Sequence, residues 1–94
     1  METYIKLYDW MSELPLEERV IYALIYQLTQ TGNGYWSTIR VMADRLRIPK
    51  SNCKAHLKHL EEIGAIELTR QTISRKERRI YFATSDFADK LKDD

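Results

Sequence analysis

Three groups of residues in this chain have types and spacings that could do chemistry. Cys53, His56 and His59 spell C-x-x-H-x-x-H, Glu17-Glu18 and Glu61-Glu62 are paired carboxylates, and Lys50, Lys54, Lys58, Arg75, Lys76 and Arg78 form a basic series. Thiol and imidazole are transition-metal ligands. On a single helix, however, each i+3 step rotates by about −60°, so the three groups fan over about 120°. They do not converge on one ion and no fourth ligand is evident, so no metal is expected. The glutamate pairs read as exposed helix neighbours. The chain has no phosphate-binding glycine loop and no nucleophile motif. It is not expected to be an enzyme or to need a cofactor. The basic series remains, and its natural ligand is a polyanion.

The elements that would carry that series lie between Thr38 and Gly64, TIRVMADRLRIPKSNCKAHLKHLEEIG. Ile39, Met42, Ala43 and Leu46 fall at i, i+3, i+4 and i+7, one face of a helix. Cys53, Leu57, Leu60 and Gly64 repeat that face, with Ile63 beside it. Ile48 and Pro49 separate the two, because proline cannot continue the first helix and biases the residue before it away from helical geometry. Either Ser51 or the Pro49 position opens the second helix. With Cys53, Leu57, Leu60 and Gly64 inward, Ser51, Lys54, Ala55 and Lys58 point outward, and Asn52 and His59 lie on one flank.

Before this core, Met1 to Leu14 is an aromatic-rich arm carrying Tyr4, Tyr8 and Trp10. Ile5 and Leu7 are spaced for a strand, whereas Leu7, Met11 and Leu14 fit a helix. Pro15 suits the first turn of a following helix, and Glu17 and Glu18 complement its dipole. That helix runs to about Gln30, with Gly32 as its stop. Val20, Ile21, Leu24, Ile25 and Leu28 form the core face, and Tyr22 and Tyr26 widen it. So broad an arc predicts a second buried side, packed on the arm or on a second subunit. Thr31 to Gly34 is a turn, Tyr35-Trp36 a very short strand, and Ser37 or Thr38 a helix cap.

After Gly64, the alternation from Ala65 to Gln71 and the run Arg79 to Thr84 predict two strands. Ile80/Phe82 and Tyr81/Ala83 are equal candidates for the inward face. The charged TISRKER between them reads as a basic hairpin tip, and Ser85-Asp86 as the cap of a last helix, Phe87 to Lys92. The fold class is α+β in a single domain, 1-94, with an N-terminal arm over 1-14 and a short C-terminal helix over 85-94.

Hydrophobic residues make up 44% and charged residues 31%, a globular balance rather than a disordered one. No apolar run approaches the length of a membrane span. METYIKLYDW lacks the basic start and apolar run of a signal peptide, and the single Cys53 fits a reducing compartment, so a cytoplasmic protein is expected. The net charge of +1 hides an asymmetry. Arg40 to Arg79 holds eleven Lys and Arg against five Asp and Glu, a surplus of +6, whereas the remainder is acidic. A basic middle with acidic ends is the footprint of a polyanion binder.

The order helix, short strand, helix, turn, helix, strand, basic tip, strand, helix resembles the winged helix-turn-helix domain of bacterial DNA-binding proteins. The resemblance spans roughly Leu14 to Thr84. It is most specific in MADRLRIPKSNCKAHLKHLEEIGAI, Met42 to Ile66. Met42-Ala43, Leu46-Arg47-Ile48, Leu57-Lys58-His59-Leu60 and Gly64-Ala65-Ile66 occupy places where such regulators carry Leu-Ala, Leu-Gly-Ile/Val, Leu-x-x-Leu and Gly-hydrophobic-Ile. Arg47 stands where glycine is common, so the turn is expected to lack a left-handed residue, and Cys53 stands where valine is usual. The opening YIKLYDWM followed by VIYALIYQL also looks like small helix-turn-helix proteins of bacterial plasmids and phages, some of them replication initiators.

The resemblance implies that the second helix enters a major groove by its N-terminal half and that the hairpin is a wing. The expected DNA contacts are Thr38, Lys50, Ser51, Asn52, Lys54, Ala55 and Lys58, with Arg75, Lys76 and Arg78 from the wing. Asparagine can read adenine, and lysines position on phosphates. Glu61 and Glu62 would be repelled at the far end. Sequence-specific duplex binding by a small bacterial or mobile-element transcriptional regulator is one reading, and the DNA-binding part of a replication initiator is its variant. The other class is a winged helix that binds protein through its apolar N-terminal surface. A homodimer through the arm and the first long helix is expected in addition.

Overall fold

The computed structural model describes residues 5–92, so Tyr4 of the aromatic arm and residues 93–94 lie outside the described residues. Within them, α1 is Leu16–Gln30, α2 Ile39–Leu46, α3 Lys50–Glu62, β1 Ile66–Ile73, β2 Lys76–Ala83 and α4 Ser85–Lys92. The architecture is α+β: four helices and a two-stranded antiparallel hairpin. No helix among the described residues is long and apolar enough to cross a membrane.

The arm is neither strand nor α-helix. Residues 5–8 carry no regular secondary structure, with Tyr8 extended, and Asp9–Met11 forms a single 3-10 turn. Met11 drops into the core, and Trp10 meets Tyr22 and Tyr26 edge-on at 6.1 and 5.1 Å between ring centroids. Tyr8 adds a further edge contact to Tyr26, and Phe87 of α4 covers Tyr22 from another side. The second side of α1 is thus filled by its own chain, so the arc that motivated the expected homodimer is covered within one copy. This explains how Ile21 to Tyr26 are all buried on a single helix. Pro15 sits one residue outside α1, at the N-cap, rather than in the first turn. There the missing N–H costs nothing. Arg19 folds back to donate to the carbonyls of Ser12 and Leu14, fixing the chain that leads into the helix.

Thr38 caps α2, its Oγ1 accepting from the backbone N–H of Val41 at 3.1 Å. Such a cap contributes about 1 kcal/mol. At the other end, Arg47 adopts a left-handed conformation, φ 56° and ψ 42°. The expectation that this turn lacks a left-handed residue is therefore wrong: the 6→1 bond from Ile48 N–H to the Ala43 carbonyl requires the geometry, and arginine adopts it. Gly64 is also corrected. It lies past the end of α3, exposed, at φ 78°, and its inward placement fails because the helix has already ended at Glu62. Ala65 N–H to the Leu60 carbonyl and Gly64 N–H to the Glu61 carbonyl close the helix in a Schellman motif.

β1 and β2 are longer than expected. Their register runs from Ile66 opposite Ala83 to Ile73 opposite Lys76. The seven-residue tip shrinks to Ser74-Arg75, both at positive φ, the two-residue turn whose twist matches antiparallel strands. Tyr81 joins the main core, with Ala83 packed against it, so this is the inward face. Ile80 is also buried but outside that cluster. Tyr35-Trp36 contributes a single bridge, Tyr35 exchanging both backbone hydrogen bonds with Tyr81 at 2.8 and 2.7 Å. Gly34 makes the approach possible, since a Cβ there would meet the Phe82 ring at 2.7 Å. Thr29 Oγ1 accepts from Ala83 N–H, tying α1 to β2. Ser85-Asp86 lies inside the first turn of α4 instead of capping it.

Candidate functional site

The core face of α3 fixes what its other faces present. Cys53, Leu57 and Leu60 are buried, as spacing demands. Lys50, Ser51, Asn52, Lys54, Ala55 and Lys58 are all exposed. Pro49 takes the N-cap position and Ser51 lies within the first turn, making no side-chain capping bond. The N-terminal half of α3 therefore presents amide, hydroxyl and ammonium groups outward, and its first-turn N–H groups add positive potential. None of Lys50, Lys54 and Lys58 enters an ion pair among the described residues.

The hairpin supplies a second basic surface. Lys76 to Arg79 are exposed, and the next two residues of β2, Ile80 and Tyr81, are buried, so the outer half projects beyond the core. Arg75 occupies the turn, whereas Lys76 and Arg78 belong to β2 and not to a loop. Two strand residues that spacing did not single out, Arg70 and Arg79, face each other across the register. Glu77 is engaged by Arg70 at 3.4 Å. This carboxylate near the tip thus answers a strand arginine, leaving the positive surplus at Arg75, Lys76, Arg78 and Arg79. Thr38 is exposed but already spends its hydroxyl oxygen on the α2 cap.

The C-terminal half of α3 has a different task. Glu18 is only 3% exposed, which corrects its reading as an exposed helix neighbour. It accepts from His56 Nδ1 at 3.1 Å and from His59 Nδ1, and Glu17 meets His56 Nε2 at 3.1 Å. Sequence could not pair residues 38 to 41 positions apart. Cys53 is turned into the core, away from this cluster, and burial pushes its thiol pKa up. The C-x-x-H-x-x-H spacing therefore belongs to two faces with separate duties.

One aromatic residue near the basic surfaces is marked in the sequence only as part of a short strand, and not as a contact residue. Trp36 is 57% exposed, and the Arg78 guanidinium lies over its ring, 5.3 Å from the centroid. Its bulk and its position between a turn and a helix cap were the available signals.

Comparison with protein families, curated proteins and solved structures finds no match.

Proposed function

We propose that this protein is a winged helix-turn-helix DNA-binding protein that reads duplex DNA with α3 and holds the backbone with the β1–β2 hairpin as its wing. The observation that carries the reading is the division of charge along α3. Lys50, Asn52 and Lys54 face outward on the N-terminal side, and Lys58 extends that exposed face further along, all three lysines without ion-pair partners among the described residues. The histidines of the C-terminal side are drawn to carboxylates on α1. A helix docked N-terminus first into a major groove needs this polarity. The projecting hairpin adds Arg75, Lys76, Arg78 and Arg79 as backbone contacts, favoured wherever the minor groove narrows.

In this reading Asn52 and Ser51 contact base edges, while Lys50, Lys54 and Lys58 contact phosphates. Ala55 allows close approach or meets a thymine methyl. Thr38 offers its hydroxyl proton to a phosphate while its oxygen remains in the cap. Cellular work as a small transcriptional regulator follows from sequence-specific binding, with replication initiation as the same chemistry in another setting. One copy suffices for these contacts, and a homodimer would have to use a surface other than the covered face of α1.

The test is titration of a labelled duplex at two salt concentrations, followed by selection of bound sequences from random duplexes. Binding should weaken with a slope matching about three to five neutralised phosphates. Absence of binding to any duplex at low salt would leave the protein-interaction class as the better account.

A further inference from the structure

We infer that Trp36 and Arg78 form one nucleic-acid contact, in which the exposed indole packs on the deoxyribose edge of a groove and holds the Arg78 guanidinium toward the adjoining phosphate. This rests on the DNA-binding reading above.

The two tryptophans of the chain have opposite fates. Trp10 is partly buried, packed against Tyr8, Tyr22 and Tyr26. Trp36 is displayed at 57% exposure, the largest exposed aromatic surface among the described residues. Leaving an indole in water forgoes the burial that makes tryptophan stabilising. Trp36 is also not on a loose loop. The paired backbone bonds between Tyr35 and Tyr81 fix its position, and the antiparallel register sets it opposite Ile80. Arg78 lies two residues along β2 from Ile80 and so shares that face, which is how its guanidinium comes to lie over the ring.

The stack restricts a long side chain that would otherwise sample many rotamers, so less ordering remains for binding. Two residues beyond Trp36, Thr38 opens α2. Arg40 follows in the first turn, exposed. The surroundings of the indole are therefore cationic, which favours a phosphate-bearing partner over an apolar protein surface. In an intact duplex the base faces are stacked on one another, and an indole arriving from the side meets sugar.

The experiment uses the full chain with Trp10→Phe, which leaves Trp36 as the sole tryptophan emitter. Labelled duplex is titrated with two readouts, anisotropy of the label and emission of Trp36. The expected result is a change in Trp36 emission that saturates with the anisotropy. Trp36→Ala and Arg78→Ala should each weaken binding about fivefold, and the double variant also about fivefold rather than by the product, because the pair acts as a unit. Trp36→Phe should stay within about twofold of the parent, since a flat ring is retained. It also carries the test if Trp36→Ala melts early. Binding by anisotropy with unchanged emission overturns the inference while leaving DNA binding standing. So do multiplicative losses, or a Trp36→Phe variant as weak as the alanine. A larger emission change with single strands than with duplex at equal occupancy would replace the sugar contact by base stacking. No anisotropy change with any duplex would remove the DNA-binding reading itself, and this contact with it.

Discussion

Glu18 on α1 and His59 on α3 meet at 2.5 Å, carboxylate oxygen to Nδ1, across 41 residues of chain. Glu18 is buried and His59 half exposed, and His56 adds a second bond to the same carboxylate. An imidazole with carboxylates at both nitrogens, as His56 has, donates to both only when both nitrogens carry protons. The cluster clamps the C-terminal half of α3 to the helix at the centre of the fold. The N-terminal half is left to face outward.

Glu18→Ala should lower the unfolding free energy by about 2–3 kcal/mol, because it removes a buried acceptor that two side chains share. Glu77→Ala removes an exposed pair with Arg70 and should change stability by less than about 0.5 kcal/mol. Urea denaturation of both variants checks the contrast. Equal effects would mean that the Glu18 cluster contributes little.

Two backbone positions should respond in opposite directions. Arg47→Gly relieves a left-handed arginine at the end of α2 and should stabilise by about 0.5–1 kcal/mol. Gly34→Ala combines positive φ with a clash against Phe82 and the Tyr81 carbonyl, and should destabilise by about 2 kcal/mol or more. Thermal melts distinguish the signs.

Alkali should unfold the protein early. Burial raises the pKa values of Tyr22, Tyr35 and Tyr81 above the ordinary 10.0 and that of Cys53 above 9.0. The folded state thus holds protons that the unfolded state has released, so stability falls as pH rises above about 9. Within the described residues the Tyr22 hydroxyl has no hydrogen-bond partner, so Tyr22→Phe should be neutral or stabilise by about 1 kcal/mol and flatten the alkaline limb. Cys53 should resist alkylation in the folded protein at pH 8 and react once denatured. Rapid native labelling would contradict its burial.

Base reading and attachment should separate by variant. Asn52→Ala should cost about 1–3 kcal/mol on the preferred duplex and leave scrambled duplexes nearly unchanged. Arg75→Ala should weaken all duplexes alike and reduce the salt slope by about one phosphate. Equal losses on both duplexes for Asn52→Ala would show that α3 is not the reading element.

The order of elements and the buried faces of α2 and α3 are written in local spacing. Ile39, Met42, Ala43 and Leu46, then Cys53, Leu57 and Leu60, are spaced so that only a helix lines them up, and Pro49 must break between them. The outward basic residues of α3 follow from the same periodicity, since fixing one face fixes the opposite one. The remaining features come from packing between distant segments. Glu18 is buried because His56 and His59 arrive from a distant helix, and no local pattern records that arrival. The hairpin tip closed to Ser74-Arg75 because cross-strand bonds extended both strands, overriding a charged run that looked like a loop. Tyr81 rather than Ile80 joins the main core, a choice set by packing and not by alternation, which both residues satisfy. Trp36 meets Arg78 because one backbone bridge, Tyr35 to Tyr81, brings two separate segments into register. Periodicity is a property of neighbours along the chain, whereas these contacts depend on which segments the completed core holds side by side.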